Sequence, residues 1–320
     1  MNDLIKSNGV SKKVLITGVA GFIGSNLADR LLAEGYEVIG IDNLAYGPKE
    51  QIPSGVKFHK IDIRSSDIYP LFEGVDTVFH MAAKNSIIDC QNDPIETADI
   101  NVVGTVKVFS AAAAAKVRKV IYAETSAIYE GSKKLPTPET DEHPQSFYAV
   151  SKMATKYFGE AFERFKGLKT TALRYFNVYG PRQDYRRTIP PVFSSFIIKL
   201  LSGEKPIIFG DGSKKRDFVY VDDINDFHLL AMKDDRTNGQ VYNLGTGTNV
   251  SILEIYQLIQ KLLGTNIAPE HKPNQEGEAQ ENLADISKAL ALGWKPKTSL
   301  EDGLKISVDH IKKHVITSTY

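Results

Sequence analysis

The chain has 320 residues, room for about two domains or one large one. Its 39 basic residues balance 39 acidic ones, which excludes a protein held to nucleic acid or a membrane surface by bulk charge. Hydrophobic residues make up 42% and charged residues 24%, excluding a disordered or collagen-like chain.

Residues 1–13 are polar and lack the apolar core of a signal peptide. No run of about 18 apolar residues follows, so a soluble cytoplasmic protein with no membrane span is expected. Short apolar runs at 13–17, 37–42, 56–60, 76–80 and 120–124 read as strands. Between them, 22–34 and 67–72 read as helices, and 95–117 as one long helix whose five alanines at 111–115 favour helix. Such alternation implies parallel strands with helical crossovers, a doubly wound α/β sheet. Cys90 is the only cysteine, so no intrachain disulfide or cysteine-based zinc site can form, and no metal is expected.

A loop rich in Pro, Thr and charge spans 130–144; a helix follows at 146–166 and a strand at 170–175. Further on, helices are expected at 190–201, 222–232, 252–263, 286–290 and 300–312. There is no internal repeat. The expected division is a nucleotide-binding domain at 1–176, to which a segment near 215–245 returns, and a smaller α/β domain at 177–320.

Three glycines, Gly18, Gly21 and Gly24, follow the first strand and open a helix. There they allow a sharp turn and close backbone approach to a pyrophosphate, which the helix N-terminus holds through free N–H groups. Asp42 ends the second strand, placed to accept hydrogen bonds from ribose hydroxyls and repel a 2′-phosphate, which favours NAD over NADP. Asp62 and Ile63 follow the third strand and are placed to flank the adenine. Tyr148 and Lys152 lie four apart on a helix, on one face. A free tyrosine has a pKa near 10, and a neighbouring lysine cation lowers it toward useful basicity.

The chain resembles the extended short-chain dehydrogenase/reductases that act on nucleotide sugars. The matching stretches are Thr17-Gly-Val-Ala-Gly-Phe-Ile-Gly24, His80-Met-Ala-Ala83, Asp93-Pro94 with Asn101-Val-Val-Gly-Thr105, and Tyr148-Ala-Val-Ser-Lys152. Arg174-Tyr-Phe-Asn-Val-Tyr-Gly-Pro-Arg-Gln183, Gly210-Asp-Gly212, Arg216-Asp-Phe-Val-Tyr-Val-Asp-Asp223 and Ala284-Asp285 leading to Leu292-Gly-Trp294 follow in family order. The resemblance implies a Rossmann-type NAD domain, a C-terminal nucleotide-sugar domain and a homodimer built on a four-helix interface of helices 95–117 and 146–166. Ala111–Ala115 would permit close approach there if they face the partner. For the cofactor it implies Phe22, Ile23, Asn43, Met81, Ala82, Ala83 and Tyr175 beside the residues above. For the substrate it implies Lys84, Thr125, Ser126, Tyr148, Asn177, Val192, Arg216 and Asn282.

Counted back from Tyr129, Thr125 falls where the family has its catalytic hydroxyl, with Ser126 its neighbour; either can orient the sugar oxygen. The 4,6-dehydratases of the family carry an Asp-Glu pair after that position, and this chain has Ser126 and Ala127. Glu124, on an extended strand, points to the opposite face from Thr125. The pattern therefore resembles the UDP-glucose and UDP-N-acetylglucosamine 4-epimerases. The alternatives are a dehydratase or other C4-oxidising relative, and a catalytically silent NAD-sensing scaffold. Arg182 is read as a salt-bridge residue or a phosphate contact, and Arg186 and Arg187 as pocket cations or a solvated pair. Where relatives carry Arg-Pro-Gly-Asp, this chain has Gln275-Glu-Gly-Glu278, with Lys272 and the run 212–215 as nearby sources of charge. Asn282 is small where glucose-only relatives have tyrosine, which suits an N-acetyl group.

Overall fold

The computed structural model describes residues 13–186, 190–274 and 279–316; Arg187 and 275–278 lie outside them. In chain order the first part runs β1 (Lys13–Thr17), α1 (Phe22–Ala33), β2 (Glu37–Asp42), β3 (Lys57–Lys60), a 3₁₀ segment at Ser66–Phe72 and β4 (Thr77–His80). Then come α2 (Ile87–Asn92), α3 (Pro94–Ala98), a π-turn (Asp99–Gly104), α4 (Thr105–Ala114), β5 (Lys119–Thr125), α5 (Phe147–Lys166) and β6 (Lys169–Tyr175). The later part has β7 (Asn177–Tyr179), α6 (Val192–Leu201), β8 (Ile207–Phe209), β9 (Lys215–Arg216), β10 (Phe218–Tyr220) and α7 (Val221–Lys233). It ends with β11 (Gln240–Leu244), β12 (Val250–Ser251), α8 (Ile252–Leu263), β13 (Glu270–Lys272), α9 (Ser287–Leu290) and α10 (Leu300–Ile311).

Seven strands form one sheet in the order β11-β6-β5-β4-β1-β2-β3, every pairing parallel. Alternate residues of each central strand face opposite layers, so the strands are apolar throughout. On one face Val14 and Ile16 pack with Leu27, Leu31, Phe227 and Trp294. On the other, Leu15, Val78 and Val120 pack with Phe72, Val108 and Phe109. This is a doubly wound α/β fold of the Rossmann type. A third cluster joins α6, α8 and α10 through Phe193, Phe196, Ile255, Ile259, Leu304 and Val308.

Two expectations are corrected. The run 95–117 is not one regular helix. Asp93 caps α3, its Oδ1 accepting from Glu96 N at 2.9 Å, and the chain widens into the π-turn before α4. Asn101 sits inside that turn, its Oδ1 accepting from Lys84 N at 2.8 Å and its Nδ2 donating to Lys84 O at 3.0 Å. The alanine run is divided between two sides: Ala111 and Ala112 are buried in the core beside Phe109, Ala113 and Ala115 are partly buried, and Ala114 is exposed. The short strands of the later part escape the sequence, and so does one strand of the seven-stranded sheet. β11 is five residues, two of them the polar amides Gln240 and Asn243, and reaches the sheet edge by pairing with β6.

Candidate active site

The parallel strands deliver their C-terminal ends, and the residues just beyond them, to one edge of the sheet, where ligands of such folds bind. At the end of β1, Gly18 takes φ +73°, and a Cβ there would stand 2.7 Å from Ala82 N. A Cβ on Gly24 would fall 2.2 Å from Gly18 O, so α1 packs on the turn with hydrogen only. Gly21, the N-cap, has no side-chain cap to offer, leaving the first-turn amides of Phe22 and Ile23 to an anion. Asp42 ends β2 against this turn: Oδ2 accepts from Ala20 N at 3.0 Å and Oδ1 from Leu44 N at 2.8 Å. Burial raises its pKa, while those two amides oppose the rise.

Gly47 is a site residue the sequence reading missed. A Cβ on it would stand 2.1 Å from Ala20 O, so the loop after Asp42 folds onto the glycine turn. The only local signal is a glycine five residues past the acid. Asn43 Nδ2 donates to Asp62 Oδ2 at 2.9 Å, and Arg64 holds Asp62 with Nε at 2.9 Å and Nη2 at 2.8 Å. These bonds to Arg64 keep the Asp62 carboxyl well below the usual carboxylate range. Ile63 is buried under Gly104, where a Cβ would come within 2.7 Å of it.

After β4, Met81 N donates to Thr17 O and Ala82 N to Thr17 Oγ1, which sets Met81, Ala82 and Ala83 beside the glycine turn. The Tyr175 hydroxyl lies 2.7 Å from His228 Nε2 and 3.4 Å from Met81 Sδ. Burial pushes that phenol far above its ordinary pKa. Tyr175 can thus offer its ring, not its proton.

The helix carrying Tyr148 and Lys152 starts at Ser146, whose Oγ accepts from Ala149 N at 3.1 Å. Glu130 holds that cap in turn, accepting from Ser146 N at 2.7 Å and Oγ at 2.8 Å. Lys152 is buried and Nζ donates to Ala123 O at 2.9 Å. Burial lowers its pKa to about 8, opposed first by the Glu124 carboxylate. Two residues past Ala123, Thr125 Oγ1 accepts from Ala127 N at 3.1 Å, capping the 3₁₀ turn Ser126–Tyr129. Its O–H remains able to donate. Asn101, missed as a site residue, links the pieces: its Nδ2 donates to Ser151 Oγ at 3.0 Å, and that hydroxyl donates to Tyr148 O at 2.7 Å.

On the far side of the cleft, Asn177 Nδ2 donates to Asp217 O at 2.9 Å and to Asn282 Oδ1 at 3.2 Å. Asn282 Oδ1 also accepts from Asp217 N at 2.8 Å, so both expected substrate residues are knitted to the strand that carries Arg216. Arg216 is half-buried, with Nη1 donating to Lys215 O at 2.9 Å. Of the nearby lysines, Lys214 is buried, while Lys215 and Lys272 are exposed. Val192 opens α6, partly buried against the third apolar cluster. Lys84 is buried, its ammonium 2.5 Å from Glu96 Oε2. Arg182 pairs with Asp29, and Arg186 with Asp184 at 3.2 Å.

The edge thus combines a glycine-turn nucleotide site with a Tyr-x-x-x-Lys pair and a hydroxyl at a strand end, the layout of a dinucleotide-dependent enzyme of the short-chain dehydrogenase/reductase type. The chain belongs to the NAD-dependent epimerase/dehydratase family, whose sequence profile matches residues 14–245. A solved UDP-glucose 4-epimerase of Thermotoga maritima, with UDP-glucose, is 39% identical over 94% of this chain and 99% of its own, with a TM-score of 0.91. A UDP-N-acetylglucosamine 4-epimerase of Methanobrevibacter ruminantium, in complex with UDP-N-acetylmuramic acid, is 31% identical over 95% and 99%, also at 0.91. The Thermus thermophilus UDP-glucose 4-epimerase complex with NAD is 34% identical over 95% and 100%, at 0.87. Among the described residues no helix is long and apolar enough to cross a membrane.

Proposed function

We propose that the chain is an NAD-dependent 4-epimerase of nucleotide sugars, acting on a UDP-hexose or UDP-N-acetylhexosamine. The observation that carries this reading is the chemistry around Thr125. A hydroxyl stands at the strand end near the Tyr148–Lys152 pair, followed by Ser126 and Ala127 with no carboxylate. Glu124, its nearest acid in sequence, is consumed in a buried ion pair with Arg174 at 2.7 Å. Elimination of water needs an acid for the leaving hydroxyl and a base at C5. Oxidation and re-reduction at C4 need only one proton acceptor.

The glycine turn fits NAD: hydrogen is all that Gly18 and Gly24 can carry there, and Asp42 suits ribose hydroxyls while repelling a 2′-phosphate. When bound, NAD supplies a hydride acceptor at C4 that later returns what it took. Tyr148 takes the proton from the sugar 4-hydroxyl and gives it back after the 4-keto sugar has turned over. Lys152 lowers the phenol's pKa, and Thr125 or Ser126 orients the oxygen. Asn177 and Arg216 hold the nucleotide diphosphate, so that the sugar end is free to turn. Asn282, a small side chain beside Asn177, leaves room for a 2-substituent. The test is incubation with UDP-, dTDP- and GDP-sugars, followed by NMR. Interconversion of C4 epimers supports the reading, and a dehydrated product contradicts it.

A further inference from the structure

The segment 180–186 follows β7, the strand that carries Asn177, and turns back onto the nucleotide-binding half of the chain. The reaction as described gives its contacts there no part. Asn26 on α1 donates from Nδ2 to Pro181 O at 3.0 Å and to Phe22 O at 2.8 Å. Arg182 answers with Nη2, which donates to Asn26 Oδ1 at 3.1 Å and to Asp29 three residues along the helix. Its Nη1 donates to Gln51 O at 3.3 Å, at the end of a 3₁₀ turn, Lys49–Gln51. Four residues on, Arg186 Nη2 donates to Tyr46 O at 3.2 Å. Two arginines of one segment thus hold both ends of the loop 46–51, and both hold it by backbone carbonyls.

Between those ends Gly47 lies on the glycine turn, where a Cβ would stand 2.1 Å from Ala20 O and 2.8 Å from Gly21 N. Ala20 N in turn donates to Asp42 Oδ2 at 3.0 Å. The loop therefore touches the pyrophosphate turn, and that turn touches the acid placed for the ribose. Arg182 adopts φ +67°, a left-handed backbone that is uncommon and costly for a residue with a side chain. Leu44, between Asp42 and the loop, does the same at +63°. An arginine serving only as a surface partner of Asp29 needs neither that backbone nor the reach to Gln51 O.

We propose that Arg182, seconded by Arg186, is a positioning residue that fastens loop 46–51 onto the glycine turn and so slows release of the dinucleotide. The inference goes beyond the sugar chemistry and rests only on the NAD site at that turn. Neither arginine is required to touch the cofactor. The clasp acts through Gly47 and through Asn26, which also holds the carbonyl of Phe22 in the first turn of α1.

The experiment uses the full chain loaded with NADH and chased with excess NAD, the loss of bound NADH fluorescence giving the release rate. Arg182→Gly removes the guanidinium and at the same time relieves the left-handed backbone. Its thermal midpoint without cofactor should stay close to wild type, while NADH release should quicken roughly tenfold, as expected for one or two lost hydrogen bonds. Arg182→Lys keeps the charge facing Asp29, but a single ammonium cannot also span to Gln51 O. It should release NADH nearly as fast as Arg182→Gly. Arg186→Ala, at an exposed position, frees the Tyr46 end alone and should quicken release about threefold. Release at the wild-type rate from folded Arg182→Gly overturns the proposal, whatever the thermal midpoint does. If that variant does not fold, wild-type release from Arg182→Lys overturns it instead, since the Asp29 ion pair alone would then suffice.

Discussion

Tyr148 carries the heaviest chemical assignment, and its neighbours explain why a phenol can take it. Ser146 and Glu130 fix the start of its helix, and Lys152 lies one turn on, buried against the Ala123 carbonyl. Tyr148→Phe should leave folding and NAD binding intact and reduce turnover by roughly 10²–10⁴-fold, the usual worth of a positioned base. Steady-state kinetics beside an NAD titration checks it, and near-normal turnover would refute the assignment. Two histidines make a second prediction at this scale. His80 sits between Thr17 Oγ1 at 2.7 Å and Thr105 Oγ1 at 2.8 Å, and His228 meets the Tyr175 hydroxyl. Burial lowers both from 6.5 to about 3, the Lys152 cation adding to the effect at His80. Between those values the unfolded chain binds more protons than the folded one. Stability is therefore full above about pH 6.5 and declines as the pH drops toward 3, by on the order of 1 kcal/mol per pH unit for each histidine. Denaturant melts at pH 7 and 5 read this, and replacing His80 by Gln should flatten the slope. The Tyr-Lys spacing and Asp42 were legible because each depends on a local period or a strand end. Arg174 and Gly47 were not: their partners are set by strand register and loop folding, which no local pattern encodes.

Among the elements, α1 and the turn before it are built to a tolerance of one hydrogen. Gly24→Ala would drive a methyl into Gly18 O, where only backbone movement makes room. It should cost about 1–3 kcal/mol of stability, the usual range for overpacking, and weaken NAD binding more than substrate binding to the NAD-loaded protein. Thermal melts with and without NAD measure both, and an unchanged NAD affinity would show that the turn does not hold the pyrophosphate. Helix α5 was readable end to end, from the Ser146 cap to Gly167 at φ +68°. The helix expected at 95–117 failed for a tertiary reason. Asn101 turns inward to bind both backbone groups of Lys84 and to reach Ser151, and the chain widens by one residue to let it. The alanine run reads as a surface for close helix approach, and the core claims its inner side. β11 is too short and too polar to announce itself, and only the open edge of β6 explains it.

At the scale of the whole molecule, α5 leaves an apolar stripe outside: Phe147, Val150, Tyr157, Phe158 and Phe165 are exposed, the last by 75%. Ile95 on neighbouring α3 is 83% exposed and extends the patch. Monomers rarely leave such a face uncovered, and a second copy of the chain is its proposed cover. Light scattering at micromolar concentration should give a dimer, and Tyr157→Glu with Phe158→Glu should yield monomers; a wild-type monomer would refute this. The seven-stranded sheet and the third apolar cluster are the two main packed bodies of the molecule, and the nucleotide sugar is proposed to be held at the strand ends by its diphosphate while the sugar moves. The central claim is that the hydride leaves C4 and comes back to C4. Epimerisation of a UDP-sugar deuterated at C4, followed by NMR in ordinary water, tests it most directly. The account predicts product of inverted configuration with the label still at C4 and no exchange at C5. Label appearing at C6, with loss of water and a solvent proton at C5, would contradict it.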